Sequence, residues 1–127
     1  MGILEFLLGI KKKKTVTSET VIKIKTDWKN VEVLLAGKSP SQLRQALITA
    51  DKCLDNALRD IVEGNSLGER LKNGADLFDN ITLNKIWEAH KIRNNIVHET
   101  NYEPPHYVLT DAVGKLKKGL EALGVRL

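Results

Sequence analysis

The stretch Trp87–Glu99 sets the tightest limit on what this chain can become. It reads Trp-Glu-Ala-His-Lys-Ile-Arg-Asn-Asn-Ile-Val-His-Glu and holds neither glycine nor proline. A helix is therefore expected there, with Thr82 as the cap just upstream. At about 100° per residue, Leu83, Ile86, Trp87, His90, Asn94 and Val97 share one face, and Arg93 and His98 flank it about 140° apart. Glu88, Lys91, Asn95 and Glu99 fall on another side and read as a solvated surface. The most apolar face of this helix thus carries polar groups through its middle. Burying them without partners costs several kcal/mol, so they either satisfy one another in a packed interface or line a site.

The remaining chain is read as helices of the same kind. Val21, Ile24, Trp28, Val31 and Leu35 recur at helical spacing, giving a first helix over about 19–36 with Ser18 as cap and Gly37 as stop; the Val-Ile-Lys-Ile-Lys piece also alternates like a strand. Ser39-Pro40-Ser41-Gln42 combines a capping box with proline at the first helical position. It opens a helix to about Val62 whose core stripe is Leu43, Leu47, Ala50, Leu54, Ala57, Leu58 and Ile61. Cys53 beside that stripe reads as a small buried residue. Asp51, Asp55, Arg59 and Glu63 repeat every four residues on another face, expected to be a solvated ladder or a contact with a partner protomer. Ser66 and Glu69 frame a short helix to about Phe78, with Gly68 inside its start. Pro104-Pro105 forces a loop, and Thr110 is read as the cap of a last helix built on Val113, Leu116, Leu120 and Leu123. The expected fold is an all-α, up-and-down bundle of four main helices plus a short one, with residues 1–17 as an apolar and polybasic tail and 18–127 as one domain.

The length of 127 residues allows one compact core. The net charge of +4 invites a nucleic-acid reading, but Lys11–Lys14 supply most of it and the rest of the chain is nearly neutral. A single cysteine excludes an internal disulfide and a cysteine-type zinc site, and fits a cytoplasmic protein. Met1–Ile10 is apolar but precedes its lysines, the reverse of a signal peptide, and is about half the length needed to span a bilayer. Residues 1–14 read either as a loosely docked tail or as a peripheral membrane contact, with Lys11–Lys14 near anionic lipid at the inner face of the membrane.

Arg93-Asn94, three further residues and His98 resemble the signature of the HEPN superfamily, an arginine and a polar residue followed by a histidine. Ala50-Asp51-Lys52-Cys53-Leu54-Asp55, Gly68-Glu69-Arg70-Leu71-Lys72 and Ala89-His90-Lys91-Ile92-Arg93-Asn94 resemble blocks of short bacterial HEPN proteins, in the same order. The resemblance runs from about Trp28 to the C-terminus. It implies either a metal-independent endoribonuclease of toxin or defence type, or a non-catalytic module that binds RNA, nucleotide or a protein partner such as an antitoxin. It also implies a homodimer through the Trp87–His98 helix, which joins two Arg–His motifs in one groove. Some HEPN toxins paired with nucleotidyltransferase antitoxins carry a tyrosine two residues after the motif histidine; Thr100 stands there, so silencing by modification at that position is not expected.

The residue chemistry fits that activity. Imidazole titrates near neutrality, which suits His98 to proton transfer, and Arg93 can grip two phosphate oxygens. Asn94 could hold the imidazole or orient a phosphate, with His90 in support. No cofactor is called for, and the helical spacing of His90, Asn94 and His98 lacks an acidic third ligand for a metal. Lys115, Lys118 and Tyr102 are candidates for further nucleic-acid contact, the two lysines reading otherwise as a wet face. Structural alternatives stand beside these: His98 as a surface residue stabilised by the helix dipole, and Arg93 paired with Asp51 or Asp55 inside the bundle.

Overall fold

The computed structural model describes residues 14–127. The membrane-contact segment therefore lies outside the described residues except for Lys14. All regular structure among the described residues is helical: α1 (Ser18–Gly37), α2 (Pro40–Arg59), α3 (Leu67–Asn73), a 3-10 turn (Ala75–Leu77), α4 (Asn80–His98) and α5 (His106–Ala122). None of these helices is long and apolar enough to cross a membrane.

The strongest start signal folds as the sequence dictates. The Gln42 N–H donates to Ser39 Oγ at 3.2 Å, and Gln42 reaches back to the Ser39 backbone, closing the capping box at the head of α2. Gly37 is the last residue of α1, not its stop; Lys38 takes the left-handed conformation at φ 59° instead. The Gln42 side chain occupies the space where a Cβ on residue 37 would stand, so a larger residue there would push the end of Gln42 out of the capping box.

Three other ends differ from the sequence expectation. Thr17, not Ser18, caps α1, and its N–H and hydroxyl both donate to Asp60 Oδ2, at 2.9 and 3.0 Å. That grip falls on the C-cap residue of α2, which ends at Arg59, short of Val62. Asp79 caps α4 by accepting from the Thr82 N–H at 2.7 Å, so the helix begins at Asn80, before Thr82. In α5 the helix starts at His106 directly after Pro105, because the fixed φ of proline suits a helix entry. Thr110 is an exposed residue inside α5, not its cap.

Helix α2 lies at the centre and touches each of the other helices. Leu47, Leu54 and Leu58 of α2 are fully buried, against Ile24, Trp28 and Val31 of α1, Leu71 of α3, Ile86 of α4 and Leu109, Leu116 and Leu120 of α5. Val16, just before α1, also packs against this core. The α4–α5 contact is closest at Gly119, where an added Cβ would sit 2.8 Å from Ile86 Cδ1.

Two outcomes are expected. Gly119→Ala overpacks this crossing and destabilises by about 1–3 kcal/mol; adding Ile86→Val relieves the clash, so chemical denaturation of the double variant shows a loss smaller than the sum of the single losses. Burial acts to raise the Asp60 carboxyl, but hydrogen bonds from Thr17 and Thr20 outweigh it and hold the group below its ordinary value. A carboxyl depressed on folding contributes stability above its unfolded value and loses it as pH falls through the folded one. Asp60→Asn is therefore expected to cost about 1 kcal/mol at pH 7, a gap that urea melts show closing below pH 3.8.

Candidate functional site

Asp51 faces the core side of α2 rather than solvent. It is 4% exposed and accepts from His90 Nδ1 of α4, with contacts of 3.0 and 3.2 Å to its two carboxylate oxygens. This corrects the solvated-ladder expectation. Asp51 follows Leu47 by four positions and precedes Leu54 by three, which puts it at the edge of the buried stripe. Its charge is tolerated there because a histidine and an arginine meet it.

A carboxylate only accepts, so Nδ1 carries a proton, and the tautomer this fixes leaves Nε2 as the acceptor. The Asn94 amide lies 3.4 Å from that Nε2, one helical turn on. Arg93 Nη1 donates to Asn94 Oδ1 at 2.9 Å, and Arg93 Nε stands 3.5 Å from Asp51 Oδ2. The four side chains thus form a ring, Asp51–His90–Asn94–Arg93. Its weak points are the Asn94–His90 contact, at the outer limit of a hydrogen bond, and Arg93 Nε, which is buried without a hydrogen-bond partner. The pairing of Arg93 with Asp51 inside the bundle is thereby present, yet 31% of the Arg93 side chain stays exposed.

The ring forms one wall of a cleft of about 660 Å³ between α2, α3 and α4. Trp87 forms another part, edge-on to His90 with ring centroids 6.1 Å apart. Its indole passes Gly68 at ordinary contact distance, 3.7 Å from where a Cβ would be, so Gly68 is not required for the approach. At the far end Asp55 is held by Arg70 Nη1 at 2.6 Å and by Arg59 at 3.4 Å, and Arg70 also donates to the Gly64 carbonyl at 2.7 Å. Lys52 and Lys72 reach the cleft from exposed positions and form no ion pair among the described residues.

The other candidates lie elsewhere. His98 is the last residue of α4, exposed, about 7.5 Å beyond Arg93 along the axis, and does not line the cleft. Lys115 is taken up by Glu88 and Asp111, at 2.8 and 3.0 Å, and hydrogen bonds to these two raise its pKa. It is not a free phosphate contact. Lys118 is exposed beside it, outside the cleft. Tyr102 is half-buried in a separate shallow depression with Asn95 and Glu99, and its carbonyl accepts from Arg44 at 3.5 Å. No group of three or more metal-ligating side chains occurs among the described residues. Cys53 is buried, and burial first, then the Asp27 charge, push its thiol up to about 12, so it stays protonated and inert.

No protein-family model, curated protein or solved structure matches this chain.

Removing Asp51 tests whether the ring holds α4 to α2. Asp51→Ala leaves Arg93 and His90 facing a void and is expected to destabilise by about 2–4 kcal/mol, whereas Asp51→Asn keeps an acceptor and costs less. Equal losses by chemical denaturation would argue for packing alone.

Proposed function

We propose that this chain is a metal-independent endoribonuclease of the HEPN type, in which Arg93 grips a phosphodiester and His98 transfers a proton. One observation carries the reading: Arg93 and Asn94, neighbours in the signature, are bonded to each other at the wall of a polar cleft, with Arg93 partly open to it. A guanidinium so held offers charge to a crowded phosphate without reorganising at the moment of reaction. His98 stands on the same helix, one turn past Asn94, and its side chain makes no hydrogen bond or ion pair among the described residues. A second copy packing on α4 twofold would bring it to a neighbouring Arg93. The open surface of α4 supports that pairing: Val97 is 45% exposed, and Trp87, Lys91 and Asn94 line a shallow apolar groove of about 390 Å³.

A non-catalytic RNA-binding module is the second reading. It is favoured by the separation of His98 from the Arg93 cleft within one chain. Affinity for RNA that falls steeply with salt, without cleavage, is its signature.

The deciding experiment is cleavage of a mixed RNA pool in EDTA by wild type, Arg93→Ala and His98→Ala, with the molar mass followed by light scattering. Wild type is expected to cut as a dimer, and each substitution to lower the rate by about 100-fold or more with helicity intact. A folded wild type that cuts nothing sinks the ribonuclease reading.

A further inference from the structure

Building on the ribonuclease reading, we infer that His90 is the general base of this site: its Nε2 takes the 2′-hydroxyl proton of an RNA strand whose phosphate is held by Arg93 in the same cleft. The Asp51–His90 pair is the arrangement that fits an imidazole for this work. Asp51 fixes the tautomer by accepting from Nδ1 at 3.0 Å and orients the ring. Nε2 is left bonded only to the Asn94 amide at 3.4 Å, the longest hydrogen bond in the ring and the one a substrate hydroxyl most readily replaces. Asn94 stays tied to Arg93 at 2.9 Å, so the displaced amide remains beside the phosphate.

His90 and Arg93 are one turn apart on α4 and line the same cleft, whose volume of about 660 Å³ is of the size that admits a small ligand. His98 has no such position: it lies about 12 Å from His90 along the helix axis, too far for both to act on one phosphorus within one chain. The two histidines then divide the labour. His90 removes the 2′-proton, the 2′-oxygen bonds to phosphorus, the bond from phosphorus to the 5′-oxygen breaks, and the leaving oxygen takes a proton from His98 of a second copy. Water afterwards returns a proton to His98 and takes one from His90. The products are a 2′,3′-cyclic phosphate and a free 5′-hydroxyl. No oxidant, metal or second substrate is needed.

The charged groups that face His90 across the cleft are Asp51, Lys52 and Asp55 of α2, Glu69 and Lys72 of α3, and Arg93 of its own helix. The test is the pH dependence of kcat/KM on an oligoribonucleotide in EDTA, for wild type, His90→Gln, His98→Ala and Asp51→Asn. A base must be neutral and an acid charged, so the bell of the wild type is expected to lose its acid limb in His90→Gln and its alkaline limb in His98→Ala. The rate at the optimum should fall about 100-fold or more in each. Asp51→Asn keeps an acceptor for Nδ1 but loses the carboxylate that orients the ring, so its rate should fall less than that of His90→Gln, with both limbs kept. A purely structural His90 would lower the rate and leave both limbs in place, which overturns the assignment while the ribonuclease reading survives. A wild type that cuts no RNA ends both.

In case His90→Gln does not fold, histidine carbon-13 NMR of the wild type with inorganic phosphate gives the same answer. The His90 resonance is expected to move and its midpoint to rise on phosphate addition, and Arg93→Ala to abolish both changes. A His90 signal indifferent to phosphate overturns the assignment.

Discussion

The carboxylate of Asp51 is the point on which the polar half of this bundle turns. It sits at the edge of the leucine stripe of α2 and is nearly closed off from water, yet it meets both His90 and Arg93 of α4. A lone carboxylate in that place would cost several kcal/mol; the hydrogen bond from His90 and the nearby charge of Arg93, both on one facing helix, offset that cost. On its other side α4 is held to α5, where Ile86 meets Gly119 and Lys115 pairs with Glu88. With leucines packed on one flank and a polar ring on the other, α4 cannot close fully onto α2 and α3. The cleft is what remains open.

This division also shows which parts of the fold could be read from the residues. Helix α2 was legible to the residue at its start, because Ser39, Pro40 and Gln42 act over a single turn. The buried leucines and alanines of α2 from Leu43 to Leu58 followed from their spacing for the same local reason, whereas Ile61 lies beyond the helix and is half-buried. The ends of α4 and α5 were read too late by about one turn. In both cases a threonine with helical residues after it looked like a cap, while Asp79 and Pro105 upstream took the role. An aspartate at a helix entry competes well with threonine as a cap, and Asp79 was the signal that could have decided it.

The site was legible only in part. The face of α4 carrying His90 and Asn94 follows from a helical wheel, and Arg93 with Asp51 was one of two pairings open from the sequence. What no local pattern gave was the burial of Asp51. Its four-residue spacing with Asp55 and Arg59 imitates a surface ladder, and the partner that decides otherwise is 39 positions away. Asp55 took the other course, toward Arg70 and Arg59, and anchors the opposite end of the cleft. Two aspartates one turn apart thus serve different helices, a choice made by tertiary contacts alone.

Charge placement resolves what the composition leaves open. A nearly neutral domain is a poor nonspecific partner for RNA, but neutrality on average says nothing of where the charges stand. Asp51 and Asp55 are each met at close range by cationic or hydrogen-bonding groups within the bundle. Lys52 and Lys72 carry no such partner among the described residues and reach the cleft from its rim, and the Arg93 side chain, 31% exposed, lines the same cleft. The short-range pairing of these two carboxylates leaves at the rim Lys52, Lys72 and Glu69, which forms no ion pair among the described residues. A phosphate in the cleft would meet positive charge without the domain as a whole being basic, which favours binding at one place over binding everywhere.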